Sequence, residues 1–142
     1  DLESFGFVKW GRWALRNGAL FCERGAGVAD DIENVIYALA MDDAVGYIGI
    51  TGGRLTSRLR VRNGYSDLVF REINRALGED KTVWILYFKP EPQRYRDIDI
   101  DMGRGLEIPL QKKFKSQWTT QGYGGYGRII DPIVQEIMAG LD

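Results

Sequence analysis

Two tyrosines ten residues apart, Tyr37 and Tyr47, are followed eleven residues later by Arg58, and Glu107 stands near the start of a stretch with helical spacing. Two phenols, a guanidinium and one carboxylate suit the hydrolysis of a phosphodiester with a single divalent metal ion. A phenol can help deprotonate water, an arginine can bind the phosphate, and one carboxylate can hold the ion. The chain has no histidine, which excludes histidine-based triads, histidine-ligated zinc and the commonest general base. Its single cysteine, Cys22, excludes an internal disulfide and any multi-cysteine zinc site. With Leu20 and Phe21 before it, Cys22 reads as a buried structural thiol.

At 142 residues, 44% hydrophobic and 27% charged, the chain suits one globular domain with a single core. No apolar run approaches the roughly 20 residues of a membrane helix, and no signal-peptide pattern opens it, so a soluble, cytoplasmic protein is expected. It begins at Asp1 rather than methionine, so an upstream address could be missing. A net charge of −1 and a pI near 5.6 argue only weakly for a nucleic-acid partner. The distribution argues more. Arginines 54, 58, 60, 62, 71 and 75 face only Asp67 and Glu72 between residues 54 and 75, while residues 30 to 43 carry five acids and no base. Such polarity lets one face meet phosphates while the total stays acidic. Arg54, Arg60, Arg62 and Arg71 are candidate contacts to a nucleic-acid backbone, the alternative being solvated helix faces.

These residues need elements to position them. Val8 to Leu15, the Asn17-Gly18 turn and Ala19 to Cys22 predict a β-hairpin carrying Trp10 and Trp13. Both tyrosines sit on a second hairpin, Asn34 to Met41 and Val45 to Thr51, turned at Asp42-Asp43 and broken by Gly52-Gly53. Helical spacing then begins at Arg54, with Leu55 and Leu59 apolar, and Asn63-Gly64 is its stop. Ser66 is a cap for a second helix presenting Val69, Phe70, Ile73 and Leu77. Thr82 to Phe88 reads as a buried strand, and residues 103 to 114 as a helix whose first turn Pro109 restricts. Beyond Trp118 come a glycine-rich stretch, Gly122 to Gly127, and an amphipathic segment, Ile129 to Met138. Residues 1–33 thus form a hairpin and loop, 34–118 a core and 119–142 an extension with a helix, in no βαβ rhythm. That order argues for an α+β domain.

Other features carry less. Asp97, Asp99 and Asp101 alternate with isoleucines, which puts three carboxylates on one face and reads as a solvated edge. Gly49 to Gly53 before a helix could cradle a phosphate, but lacks the Gly-Lys-Ser/Thr of a P-loop. Trp84 is expected in the core. Trp10, Trp13, Tyr123 and Tyr126 could stack on bases or fill a partner's surface.

The ordered pieces resemble the GIY-YIG nuclease family. Val35-Ile36-Tyr37 is similar to its first motif with valine for glycine, and Tyr47-Ile48-Gly49 matches the second in full. Thr51 and Leu55-x-x-Arg58 resemble the family's turn and arginine helix. Gly105-Leu106-Glu107, with Phe114 and Trp118, resembles the metal-binding glutamate helix and its trailing tryptophan. Phe7 to Leu15 is similar to the hairpin of a restriction-endonuclease branch. The resemblance implies an antiparallel three-stranded sheet flanked by helices, with the N-terminal hairpin added. It implies a metal-dependent endonuclease leaving a 5′-phosphate and a 3′-hydroxyl on DNA, in a restriction or defence setting. Tyr37 would help deprotonate the attacking water and Tyr47 would steer it. Arg58 would neutralise the phosphoryl oxygens, and Glu107 would hold one Mg²⁺ or Mn²⁺ beside the leaving 3′-oxygen.

The chain departs from the family where many relatives carry a lysine after Tyr-Ile-Gly and a histidine or tyrosine past the arginine. Here Ile50 and Arg62 or Asn63 stand there, so no residue is recognised as the partner assisting Tyr37. A non-catalytic nucleic-acid or protein interaction module on the same scaffold is the second reading. Each centre would cut one strand, so cutting both calls for a homodimer or two binding events.

Overall fold

In the computed structural model, which describes residues 1–29, 32–60 and 67–118 apart from the side chains of Arg60 and Asp67, eleven elements follow one another. They are α1 (Leu2–Phe5), β1 (Val8–Arg16), β2 (Ala19–Arg24), β3 (Glu33–Ala40), β4 (Val45–Arg54), α2 (Leu55–Arg60), α3 (Asp67–Gly78), β5 (Val83–Phe88), β6 (Gln93–Tyr95), β7 (Ile98–Ile100) and α4 (Met102–Phe114). The predicted stop at Asn63-Gly64, the Ser66 cap, Arg62 and everything past Trp118 lie outside the described residues. No described helix is long and apolar enough to cross a membrane.

The fold is α+β as expected, but the sheet is not three-stranded. β2, β1, β5, β3 and β4 form one antiparallel sheet in that order. The expected hairpin closes at Asn17 and Gly18, both at positive φ (53° and 78°), as a two-residue turn of matching twist requires. Rather than standing apart, it joins the sheet, because β1 pairs with β5 from Val8↔Tyr87 to Trp13↔Val83. The reason lies in β5, whose Val83 and Ile85 face one layer while Leu86 faces the other. A strand apolar on both faces is badly placed as an edge, and β1 removes that edge.

β3 runs between β5 and β4, with helices over both faces of the sheet. Its six buried residues therefore form an unbroken apolar run, in which alternate side chains serve opposite layers. Val35, Tyr37 and Leu39 point to the layer under α2 and α3, with Leu55, Leu59, Val69 and Ile73. Ile36, Ala38 and Ala40 point to the layer under α1 and α4, with Leu2, Phe7, Ile48 and Leu110. Trp10 and Trp13 are buried in the first layer, not held out for bases or a partner; the register slip between Lys9 and Gly11 turns both the same way.

One local expectation needs correction. Gly52-Gly53 does not break its strand: β4 continues to Arg54, paired with Glu33, and the two glycines form a bulge opposite Asn34 at φ 56°. The Gly49–Gly53 stretch is thus strand and not a phosphate loop. The helix expected over 103–114 is present as α4, with Pro109 well inside it and an Asp101 cap whose carboxylate accepts from Arg104 N. Asp97 to Asp101 is exposed as expected, and Ile98–Ile100 pairs with Gln93–Tyr95 as a separate two-stranded ribbon. Trp84 is half-buried, its indole N–H donating to Asp42 at 3.2 Å.

Candidate active site

Residue 37 faces residue 49 across the β3–β4 ladder, and that pairing explains the glycine. A Cβ on Gly49 would lie 2.9 Å from the Tyr37 hydroxyl and 2.8 Å from Cε1 of Tyr47. The two phenols lie together over bare backbone, their ring centres 6.0 Å apart and tilted by 43°. Tyr37 is fully buried, while Tyr47 is partly open.

β4 leads directly into α2, whose entry is fixed by Leu55 N donating to the Ile32 carbonyl at 2.8 Å. Leu55 and Leu59 are both buried, which holds the short helix rigid and sets Arg58, half-buried, on its remaining side. The arginine acts electrostatically on both the Tyr47 phenol and the Glu107 carboxyl.

Glu107 arrives from the other layer. β4 is the outer strand of the sheet, and α4 with the residues after it covers its free edge. Gln111 donates to the Ile48 carbonyl at 3.0 Å, Gln117 N to Val45 O at 3.0 Å, and Trp118 N to Gly46 O at 2.6 Å. Trp118, expected only as a trailing aromatic, packs where a Cβ on Gly46 would fall 2.6 Å from its ring. Because Gln111 follows Glu107 by one helical turn, both occupy the same side of α4. The carboxyl thereby comes round the edge of β4 into the field of Tyr47 and Arg58.

Tyr37, Tyr47, Arg58 and Glu107 therefore converge. Burial pushes the Tyr47 phenol above its ordinary range; Tyr37 and Glu107 push the same way, and Arg58 pulls back. Tyr47 is thus a neutral hydroxyl donor at physiological pH and not a base. Burial also raises the Glu107 carboxyl, while Arg58 and Arg104 pull it down. The nucleic-acid candidates are scattered by comparison. Arg54 ends β4 and is exposed, Arg71 is exposed on α3, and the Arg60 side chain and Arg62 lie outside the described residues.

Two residues went unmarked in the sequence. Gln111 is one of two buried polar residues among those described, and its signal was a polar side chain among Leu106, Leu110 and Phe114, four residues past the acid. Arg104 precedes Glu107 by three, the spacing of neighbours on a helix.

Among the described residues no three Cys, Asp or Glu side chains gather as a metal cage. Glu107 is instead a single carboxylate. It fits Mg²⁺ or Mn²⁺, which are held by one or two carboxylates and keep several waters while taking substrate phosphate. A desolvated carboxyl such as Glu107 gains from a cation beside it.

No protein-family model matches the chain, and no curated protein matches it. Among solved structures it is similar to a mutant of bacteriophage T4 EndoII, with 21% identity and a TM-score of 0.62, over 83% of this chain and 95% of that one. At that identity the likeness establishes a shared fold.

Proposed function

We propose that this protein is an endonuclease that hydrolyses DNA phosphodiester bonds with a divalent metal ion, leaving a 5′-phosphate and a 3′-hydroxyl. The observation that carries the reading is the meeting of two phenols, a guanidinium and a desolvated carboxyl at one edge of the sheet. The fold shared with phage EndoII, an endonuclease, supports it, as does the GIY-YIG resemblance of the same four residues. A restriction or defence role inside the cell suits this activity.

Tyr37 would contact the attacking water, whose oxygen bonds to phosphorus as the bond to the 3′-oxygen breaks. The water would lose one proton, ultimately to solvent, as its oxygen bonds to phosphorus, and the leaving 3′-oxygen would take one up from solvent. Tyr47, kept neutral by burial, would donate its O–H to the water or a phosphoryl oxygen. Arg58 would stand opposite the phosphoryl oxygens as charge grows on them. Glu107 would hold Mg²⁺ or Mn²⁺, which when bound supplies positive charge beside the leaving oxygen. Arg54, Arg60, Arg62 and Arg71 would meet the flanking backbone and make binding steeply salt-dependent.

The test is supercoiled plasmid with Mg²⁺ or Mn²⁺, using wild type beside Glu107→Ala and Tyr37→Phe. Metal-dependent nicking by wild type alone is expected. Binding without nicking under every metal and pH would instead identify an interaction module.

A further inference from the structure

The β6–β7 ribbon is the part of the described fold that buries nothing. Every residue from 91 to 100 is exposed, although the ribbon carries Tyr95, Ile98 and Ile100. The register sets Gln93 against Ile100, Arg94 against Asp99 and Tyr95 against Ile98. Partners across a ladder share a face with residues two along, so Tyr95, Ile98 and Ile100 share one largely apolar face with Gln93, and Arg94 with Asp99 the other. The charged face is satisfied internally: Arg94 meets Asp99 at 2.9 Å and donates to the Asp97 carbonyl at 3.2 Å. The apolar face is open, with Tyr95 and Ile98 each more than 60% exposed. An isolated two-stranded ribbon is marginal in water, and an exposed apolar patch rimmed by charge marks an interaction surface.

Charge selects the occupant. From Gln93 to Ile100 the two arginines are offset by Asp97 and Asp99, so the ribbon has no net charge with which to hold phosphates. A nucleic-acid partner would meet carboxylates on it. Arg96, whose guanidinium lies 5.6 Å from the centre of the Tyr95 ring, and Asp97 make no ion pair with the described residues, which leaves one charge of each sign at the rim beside that ring. A surface that is apolar at its centre and carries both signs at its edge is complementary to itself about a two-fold axis.

We propose that this ribbon is a self-association surface whose partner is a second copy of this chain. Tyr95, Ile98 and Ile100 of the two copies pack together, and Arg96 of each faces Asp97 of the partner subunit. The ribbon ends at Ile100, directly before the Asp101 cap of α4, so the joined element is continuous with the helix that carries Glu107. Two copies held this way present two sites, which is what cutting both strands requires. The association itself is independent of the nuclease reading, and it is measured without DNA.

Sedimentation velocity on the full chain, from about 1 to about 200 μM to cover the weak range of small interfaces, reads it directly. Wild type is expected to shift from monomer to dimer across that range. Ile98→Lys, at an exposed position, should remain monomeric with an unchanged circular dichroism spectrum and melting temperature. Arg96→Asp should weaken association about tenfold or more by setting like charges together, and Arg96→Asp combined with Asp97→Arg should restore it. A wild type monomeric at the highest concentration would overturn the proposal. So would an Ile98→Lys that dimerises like wild type, or a failure of the paired charge exchange. If wild type stays monomeric while Ile98→Lys loses DNA affinity, DNA covers the ribbon and the self-association proposal is wrong.

Discussion

Under α1 and α4, β3 contributes Ile36, Ala38 and Ala40 and β4 contributes Ile48, a layer of apolar side chains in which Gln111 is the buried polar exception. Under α2 and α3, the same two strands contribute Tyr37 and Tyr47, with Arg58 beside them. The period-two geometry of a strand lets one hairpin pack carbon on one face and, in the proposed reading, present chemistry on the other.

The contrast breaks most sharply at Arg58. Arg58→Ala is expected to lower cleavage by about 10²–10³-fold, the loss typical of one positioned charge at a developing anion. Its circular dichroism spectrum should stay that of wild type. If the mutant still cuts near the wild-type rate, the arginine is misassigned. On the other face the outcome inverts. Ile48→Ala or Leu110→Ala should cost about 2–5 kcal/mol in urea denaturation, while the protein that remains folded still cleaves. A mutant that stays stable but inactive would show that this face takes part in the chemistry.

Gly49→Ala joins both effects, since its Cβ would fall under 3 Å from each phenol. Overpacking of about 1–3 kcal/mol is expected, together with a loss of activity exceeding the loss of folded protein. An alanine variant with wild-type kinetics would mean the rings need not lie as close as described.

Smaller effects follow from the shifted groups, and the sign of each can be worked out. The Tyr47 phenol is raised, so above pH 10 the unfolded chain ionises while the fold still holds the phenol neutral. Stability present below that pH is therefore lost as pH rises further. Denaturation curves from pH 8 to 11 should show a steeper loss for wild type than for Tyr47→Phe; parallel losses would contradict the burial. Glu107 is also raised, so its favourable contribution is present in acid and lost as pH rises through its folded pKa. Wherever the carboxyl is ionised it costs stability, so the melting temperature of Glu107→Gln relative to wild type should rise as pH is raised from 4 to 8. A relative melting temperature that falls over that range would show a structural rather than a functional carboxylate.

Local chemistry made much of this legible. The Asn17-Gly18 turn, the strand spacing around Tyr37 and Tyr47, and the helix that brings Glu107 all follow from near neighbours in sequence. What was hidden is long-range or conditional. Nothing local to Val8–Trp13 says that it pairs with Val83–Tyr87, so the hairpin reads as an addition to the three-stranded sheet that the family resemblance implies. Glycines 52 and 53 read as a break because a bulge opposite Asn34 has no signature of its own. Pro109 is tolerated within α4 because the carbonyl it deprives of a partner belongs to exposed Gly105. Gln111 stayed unnoticed because its meaning depends on β4 being an edge, which only the assembled sheet reveals.

The central claim is that side chains from both layers form a single metal-assisted site at the edge of β4. The most direct measurement is anomalous diffraction from crystals soaked in Mn²⁺, with and without a non-cleavable DNA oligomer. The account predicts one manganese in bonding distance of the Glu107 carboxylate, on the side facing Tyr47 and Arg58, and none in crystals of Glu107→Ala. Manganese bound elsewhere while cleavage still requires the metal would contradict it.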